Sequence, residues 1–245
     1  MKKAIRRFLR PLTHLLPSGI PIPVLTGPLK GRKWIVGAAA GTGKGMSIFF
    51  NQFEPAQVKY AIQLLKTSSL CYDIGANVGF YTLLFSLYAE EVLAFEPLPR
   101  NLYYLIRLLE LNKVTNTTIM PCAVSETAKI SNFAKNEDYG LGKLDKEGDL
   151  QVLVTTCDQV VKETKKVPDL LKIDVEGAEL GVLKGAKNLL ESCHPSILLS
   201  VHSDQLRLGC LNYLKDMNYN NIIPINSEKN NDATEFAAID KKIGF

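Results

Sequence analysis

Three short stretches of this 245-residue chain gather the residue types that chemistry needs. In DIGANVGFYT, residues 73–82, an apolar run delivers Asp73, and then Gly75 and Gly79 let the backbone turn tightly and approach a ligand lying across the start of the following helix. Twenty-three residues after Asp73 the run LAFE ends in Glu96, the place of the acid that accepts hydrogen bonds from ribose hydroxyls in nucleoside-binding βαβ units. In KIDVEGAE, residues 172–179, Asp174 and Glu176 lie two apart, so they point the same way from an extended strand end. Carboxylates crowded together raise one another's pKa, which makes one of them a competent base near neutrality. His202, ending the apolar run SILLSVH, is a further candidate base or substrate contact. Glu179 reads as an acid that merely complements a helix dipole.

The glycine pattern selects the cofactor. A dinucleotide fingerprint requires G-x-G-x-x-G, but Asn77 stands where the second glycine would approach a pyrophosphate. An acid ahead of the first glycine suits a cationic, phosphate-free ligand: Asp73 attracts the ammonium and sulfonium of S-adenosylmethionine (SAM) and would repel a pyrophosphate. Methyl transfer from SAM is therefore the expected activity. A nicotinamide-dependent oxidoreductase and a non-catalytic SAM-binding module are the alternatives. AAAGTGKG, residues 38–45, imitates a phosphate loop but has Ala38 where Gly is required and Gly45 where Ser or Thr must hold magnesium, so it reads as a turn between short strands.

These residues must be held by an alternating pattern of strands and helices. Helix is expected near 55–66, 81–89, 101–112, 177–192 and 204–217. Strands are expected at 70–74, 91–96, 117–124, 151–156, 169–174, 196–202, 221–225 and 235–239. Such alternation specifies a Rossmann-like α/β fold, a mostly parallel doubly wound sheet whose C-terminal strand is antiparallel, with ligands at the carboxyl ends of the strands. Residues 1–30, including four prolines between 17 and 28, read as an N-terminal arm, 31–245 as the domain, and 135–149 as a long loop or hairpin.

Composition narrows the partners. A net charge of +4 without basic clusters interleaved with aromatics argues against nucleic acid as substrate. Five scattered cysteines read as reduced thiols in a cytoplasmic protein. Three histidines and dispersed thiols show no transition-metal spacing, so no metal is expected, a hard cation on the carboxylates being left open. Residues 1–16 carry a basic amphipathic face, read as a solvated helix in preference to a membrane-surface anchor, and no stretch is long enough to span a bilayer.

Taken together, DIGANVGFYT, AFEP, KIDVEGAE and VLKGA resemble the FkbM family of SAM-dependent methyltransferases, over residues 53 to 202. The resemblance implies a class I methyltransferase fold and O-methylation of a hydroxyl on a sugar, glycan or natural product. It also implies that Asp73, Gly75, Ala76, Asn77 and Gly79 line the methionine end of SAM, Glu96 its ribose and Ala123 its adenine, and that Glu54, after Phe53, closes over the cofactor. Asp174, Glu176 and His202 are then the catalytic candidates. Where many members carry a glutamate two residues before the strand-ending His, this chain has Ser200, which counts against any mechanism needing that acid. The D/N-P-P-Y loop used against amino groups is absent, favouring an oxygen acceptor.

Overall fold

A computed structural model describes residues 17–39, 45–66, 68–135, 142–145, 147–227 and 232–239. The expected basic helix of residues 1–16 lies outside them. The chain opens with a hairpin of β1 (Pro21–Pro23) and β2 (Lys33–Ile35). Prolines fit this two-stranded edge because it leaves their missing N–H groups unneeded. The hairpin spans the expected limit of the arm at residue 30, and Val24, Leu29, Trp34, Ile35 and Val36 are all buried in the main core. Asn112 ties β2 down, its Oδ1 accepting from the Lys33 N–H at 2.8 Å and its Nδ2 donating to the Lys33 carbonyl at 2.9 Å.

The expected alternation follows: α1 (Met46–Phe49), α2 (Pro55–Leu65), β3 (Leu70–Ile74), α3 (Phe80–Phe85), β4 (Glu91–Phe95), α4 (Pro99–Leu111), β5 (Thr117–Met120), β6 (Ala123–Val124), β7 (Lys129–Lys135), β8 (Gly142–Leu144) and β9 (Leu150–Thr155). The chain continues through α5 (Cys157–Thr164), β10 (Leu170–Ile173), α6 (Glu179–Lys184), α7 (Lys187–Cys193), β11 (Ser196–Ser200), α8 (Asp204–Asp216), β12 (Ile222–Pro224) and β13 (Glu235–Ala238). The main sheet runs β12-β13-β11-β10-β3-β4-β5, with β11, β10, β3, β4 and β5 parallel and β13 antiparallel to both its neighbours. Strands buried on both faces need helices on both sides, and β3 and β10 are apolar almost throughout and wholly buried. The chain order reverses at β3, which pairs with β4 on one side and with β10 on the other, so the ligand-binding crevice opens at the carboxyl ends of β3 and β10.

Two expected elements divide. The run 117–124 breaks at Pro121, which cannot donate to a ladder. Residues 123 and 124 leave the main sheet for a second one ordered β6-β9-β7-β8. The helix expected over 177–192 splits around Gly185, where the chain leaving β6 passes so close that a Cβ would lie 2.1 Å from the Ser125 carbonyl oxygen. The second sheet takes in part of the expected long loop or hairpin, in its hairpin form. β8 lies within it and pairs with β7, residues 136–141 and 146 falling outside the described set. Its inner face, Phe133, Val152 and Val154, packs with Leu98 and Ala123.

Candidate active site

At the switch point the backbone of β3 meets that of β10. Gly75 has φ +83°, and a Cβ there would sit 1.9 Å from the Asp174 carbonyl oxygen, so only glycine fits. The turn continues with Asn77 at φ 51°, its Oδ1 accepting from the Val78 N–H at 2.8 Å. Glu96, at the end of β4, accepts from the Asn77 N–H at 2.8 Å, the Leu98 N–H at 2.9 Å and the Asn101 side chain at 3.3 Å. Burial nonetheless pushes its carboxyl up to about 7, because desolvation outweighs these donors.

Above this floor lies a cavity of about 340 Å³, within the usual range for small ligands. Gly75, Ala76, Asn77 and Glu96 form one side, Cys122, Ala123 and Leu98 another, and Trp34, Phe53, Phe80 and Tyr81 an aromatic wall. The second sheet covers it with Phe133 and Leu144. Six residues expected at the cofactor therefore line one cavity: Glu54, Gly75, Ala76, Asn77, Glu96 and Ala123. Asp73 and Gly79 do not. Asp73 is fully buried, its Oδ2 accepting from the Thr82 hydroxyl at 2.6 Å and its Oδ1 lying 3.9 Å from Lys172 Nζ. Gly79 makes room for α4: a Cβ there would lie 2.7 Å from the side chain of Leu105. The 38–45 stretch is also closer to the site than its reading as a plain turn. Residues 40–44 lie outside the described residues, but Ala39, within the stretch, and Ile48 of α1, after it, both line the cavity.

A second, more open cavity of about 670 Å³ adjoins the first and shares Glu54, Asp174 and Glu176 with it. His202 and Ser200 from the β11 end, Arg207 from α8 and Glu235 from β13 complete its walls. Asp174 and Glu176 do converge, but not along an extended strand. β10 ends at Ile173, and Glu176 adopts φ 54° in the turn before α6. Their oxygens stand 3.5 and 3.4 Å from His202 Nε2. Glu179 is no simple dipole complement. It is fully buried, and its Oε1 lies 2.6 Å from His202 Nδ1 while accepting from the Gly177 N–H at 2.9 Å. That bond places the proton on Nδ1 and turns Nε2 toward the other two carboxylates. Hydrogen bonding to Glu179, reinforced by Glu176 and Asp174, raises His202 to about 9 against the opposing effect of burial.

Lys172, unremarked in the sequence because it sits inside a buried strand, lines the first cavity beside Asp174. Its ammonium is 3.2 Å from Asp174 Oδ2 and 4.7 Å from the centre of the Tyr81 ring. Burial works against this charge, but Asp174, Asp73 and Glu54 outweigh it and raise its pKa. Tyr81 donates its hydroxyl toward Glu54 at 2.8 Å and toward Gln57, which in turn donates to Ser200 at 3.0 Å. Ser200 is the register partner of Glu235 on β13. The edge that lacks a glutamate at position 200 thus carries one on the neighbouring strand, whose carboxyl burial pushes up to about 7.

A doubly wound parallel sheet with an antiparallel C-terminal strand, a glycine turn and an acid at its switch point defines the class I methyltransferase fold. Within it, a family model for the Methyltransferase FkbM domain matches residues 73–239, and the chain belongs to that family. A hexuronic acid methyltransferase, AglP, of Haloferax volcanii is 27% identical over 152 residues, covering 60% of this chain and 61% of that protein. A protein called Methyltransferase 1, of Beauveria bassiana, is 26% identical over 153 residues, covering 51% and 61%. The chain thus spans about three-fifths of the length of the curated relatives it matches. The crystal structure of Methyltransferase FkbM from Methylobacillus flagellatus superposes with a TM-score of 0.53 at 21% identity, over 69% of this chain and 43% of that one, a likeness of fold.

Proposed function

We propose that the chain is a SAM-dependent methyltransferase acting on a hydroxyl of a sugar, glycan or natural product. The observation that carries this reading is the pair of adjoining cavities that share the Glu54, Asp174 and Glu176 wall: one has the glycine turn and ribose-type acid of a nucleoside site, the other is lined with groups that take up protons. In this reading Glu96 accepts from the ribose hydroxyls, Asn77 and the Gly75–Ala76 backbone cradle the cofactor, and Ala123 and Leu98 flank the adenine. Asp73 acts from beneath the floor through Lys172 and Thr82. Glu54, which immediately precedes α2 on the wall common to both cavities, closes over the transferable methyl.

SAM brings an activated methyl group, so the protein's task is alignment and removal of a proton. Bound SAM would supply a methyl group on a sulfonium leaving group, whose departure with the carbon–sulfur electron pair would balance the new oxygen–carbon bond and leave S-adenosylhomocysteine. The hydroxyl proton passes to the Asp174 and Glu176 carboxylates, beside which His202, raised to about 9, stands as a positively charged neighbour. The Haloferax volcanii relative, a hexuronic acid methyltransferase, supports a sugar-like acceptor, and the hydroxyl and carboxylate groups of the second cavity suit such a partner. Five cysteines, none in a disulfide, suit a reducing, cytoplasmic setting. Among the described residues no helix is long and apolar enough to cross a membrane.

Calorimetric titration with S-adenosylhomocysteine and, separately, NADH tests the reading. Saturable binding of S-adenosylhomocysteine alone is expected; binding of NADH in its place would transfer the chain to the oxidoreductases.

A further inference from the structure

We infer that Asp174, Glu176 and His202 form a binding site for one divalent first-row transition cation, Zn²⁺ or Mn²⁺, at the floor of the second cavity. One carboxylate oxygen from each acid and one ring nitrogen of His202 lie within 4.8 Å of one another. The separations from Nε2, 3.5 Å to Asp174 and 3.4 Å to Glu176, are too long for hydrogen bonds. They match the edge of a tetrahedron of ligands, which is about 3.4 Å for bonds of about 2.1 Å. The mixed imidazole and carboxylate set favours Zn²⁺ or Mn²⁺ over Mg²⁺, which prefers oxygen alone.

Two further observations point to a cation here. Metal-bound histidines almost always give their second ring N–H to a carboxylate, a backbone carbonyl or water, which aims the free nitrogen at the metal. Glu179 does this for His202 at 2.6 Å from a fully buried position, and its other oxygen has no hydrogen-bond partner among the described residues. Charge is also out of balance. Among the described residues Asp73, Asp174, Glu176, Glu179, Glu54 and Glu235 gather around Lys172 and His202, while Arg207 is taken by Asp204 at 2.9 Å. A divalent ion held by three protein ligands offsets that excess and keeps a coordination position open to the cavity. Spacing along the chain hides the site, because His202 is 26 residues beyond Glu176 and reaches it only across two parallel strands.

The site itself does not depend on methyl transfer; that its open position receives the acceptor hydroxyl rests on the function proposed above. The test uses the full chain freed of metals with a chelator. Mn²⁺ binding is followed by loss of the free-ion electron paramagnetic resonance signal, and Co²⁺, as a stand-in for Zn²⁺, by visible absorption. We expect one equivalent bound, affinity at least tenfold lower in Glu176→Gln and His202→Ala, and a roughly tenfold loss in Glu179→Gln, whose side chain does not reach the ion. Circular dichroism melting identifies any variant that fails to fold, and the remaining variants then decide. No saturable binding by the parent chain, or equal binding by the folded variants, overturns the site. S-adenosylhomocysteine titrated into the same metal-free protein reports on the cofactor cavity separately, so either reading can fall while the other stands.

Discussion

The two cavities are built in opposite ways. The floor of the cofactor side comes from one continuous β3-turn-α3 segment and the end of the next strand, and its acid lies 23 residues from Asp73. The second cavity draws Glu54, Asp174, Glu176, His202 and Glu235 from across 182 positions of the chain. A cofactor that every relative must bind can be held by a local device, backbone N–H groups and one acid at a turn. An acceptor needs side chains brought to one point from several strand ends, and such a point exists only once the sheet has formed.

The sharpest way to break this comparison is to separate turnover from cofactor affinity. Glu176→Gln is expected to lower methyl transfer by about 10²- to 10⁴-fold while the dissociation constant of S-adenosylhomocysteine stays within about threefold, as measured by single-turnover kinetics and calorimetry. An equal loss in both would mean that the shared wall serves the cofactor. Gly75→Ala should act on the scaffold common to both sides. A Cβ 1.9 Å from the Asp174 carbonyl, at φ +83°, forces β3 away from β10. We expect a loss of about 3 kcal/mol and a melting temperature lower by about 6–12 °C.

Glu96→Ala should raise the dissociation constant of S-adenosylhomocysteine by about 10- to 100-fold, since hydrogen bonds to a charged acceptor contribute about 1.5–3 kcal/mol. Wild-type turnover at saturating SAM would be largely retained. A smaller effect carries a sign. Burial first, and Asp73 in part, raise the Glu96 carboxyl to about 7, and ribose hydroxyls donate best to its ionised form. Affinity at pH 6 should be about tenfold weaker than at pH 8 and lose that dependence in Glu96→Gln. In the empty protein the linkage runs the other way. A raised carboxyl holds its proton in the folded state, so this contribution to stability is full below about 4.5. About 3 kcal/mol of it is lost as pH rises to 7, which chemical denaturation at the two pH values would measure.

The same contrast explains what could be read in advance. Strand and helix alternation, the parallel sheet with its antiparallel end and the 73–96 constellation were legible because each is a local pattern of apolar period and turn chemistry. The strand of KISNFAK was not, since its outward Ile130 is 66% exposed and its apolar residues follow no clean alternation. Nor was the second sheet, whose pairing of β6 with β9 joins residues about 30 apart. Asp73 and Gly79 carry the motif's spacing, yet one serves beneath the floor and the other in helix packing, because a spacing does not say which face of a turn meets the ligand.

By itself, the sequence determined the class of fold, the position of the glycine turn at the switch point and the supply of carboxylates, because hydrophobic period, glycine conformation and strand-end acids act over a few residues. Tertiary structure alone decided that Lys172 stands between Asp73 and Asp174, that Glu179 orients His202, and that Glu235 takes the edge beside Ser200. Each is a contact between side chains on different strands or turns, and its energy arises only when burial removes the water that would otherwise separate the charges.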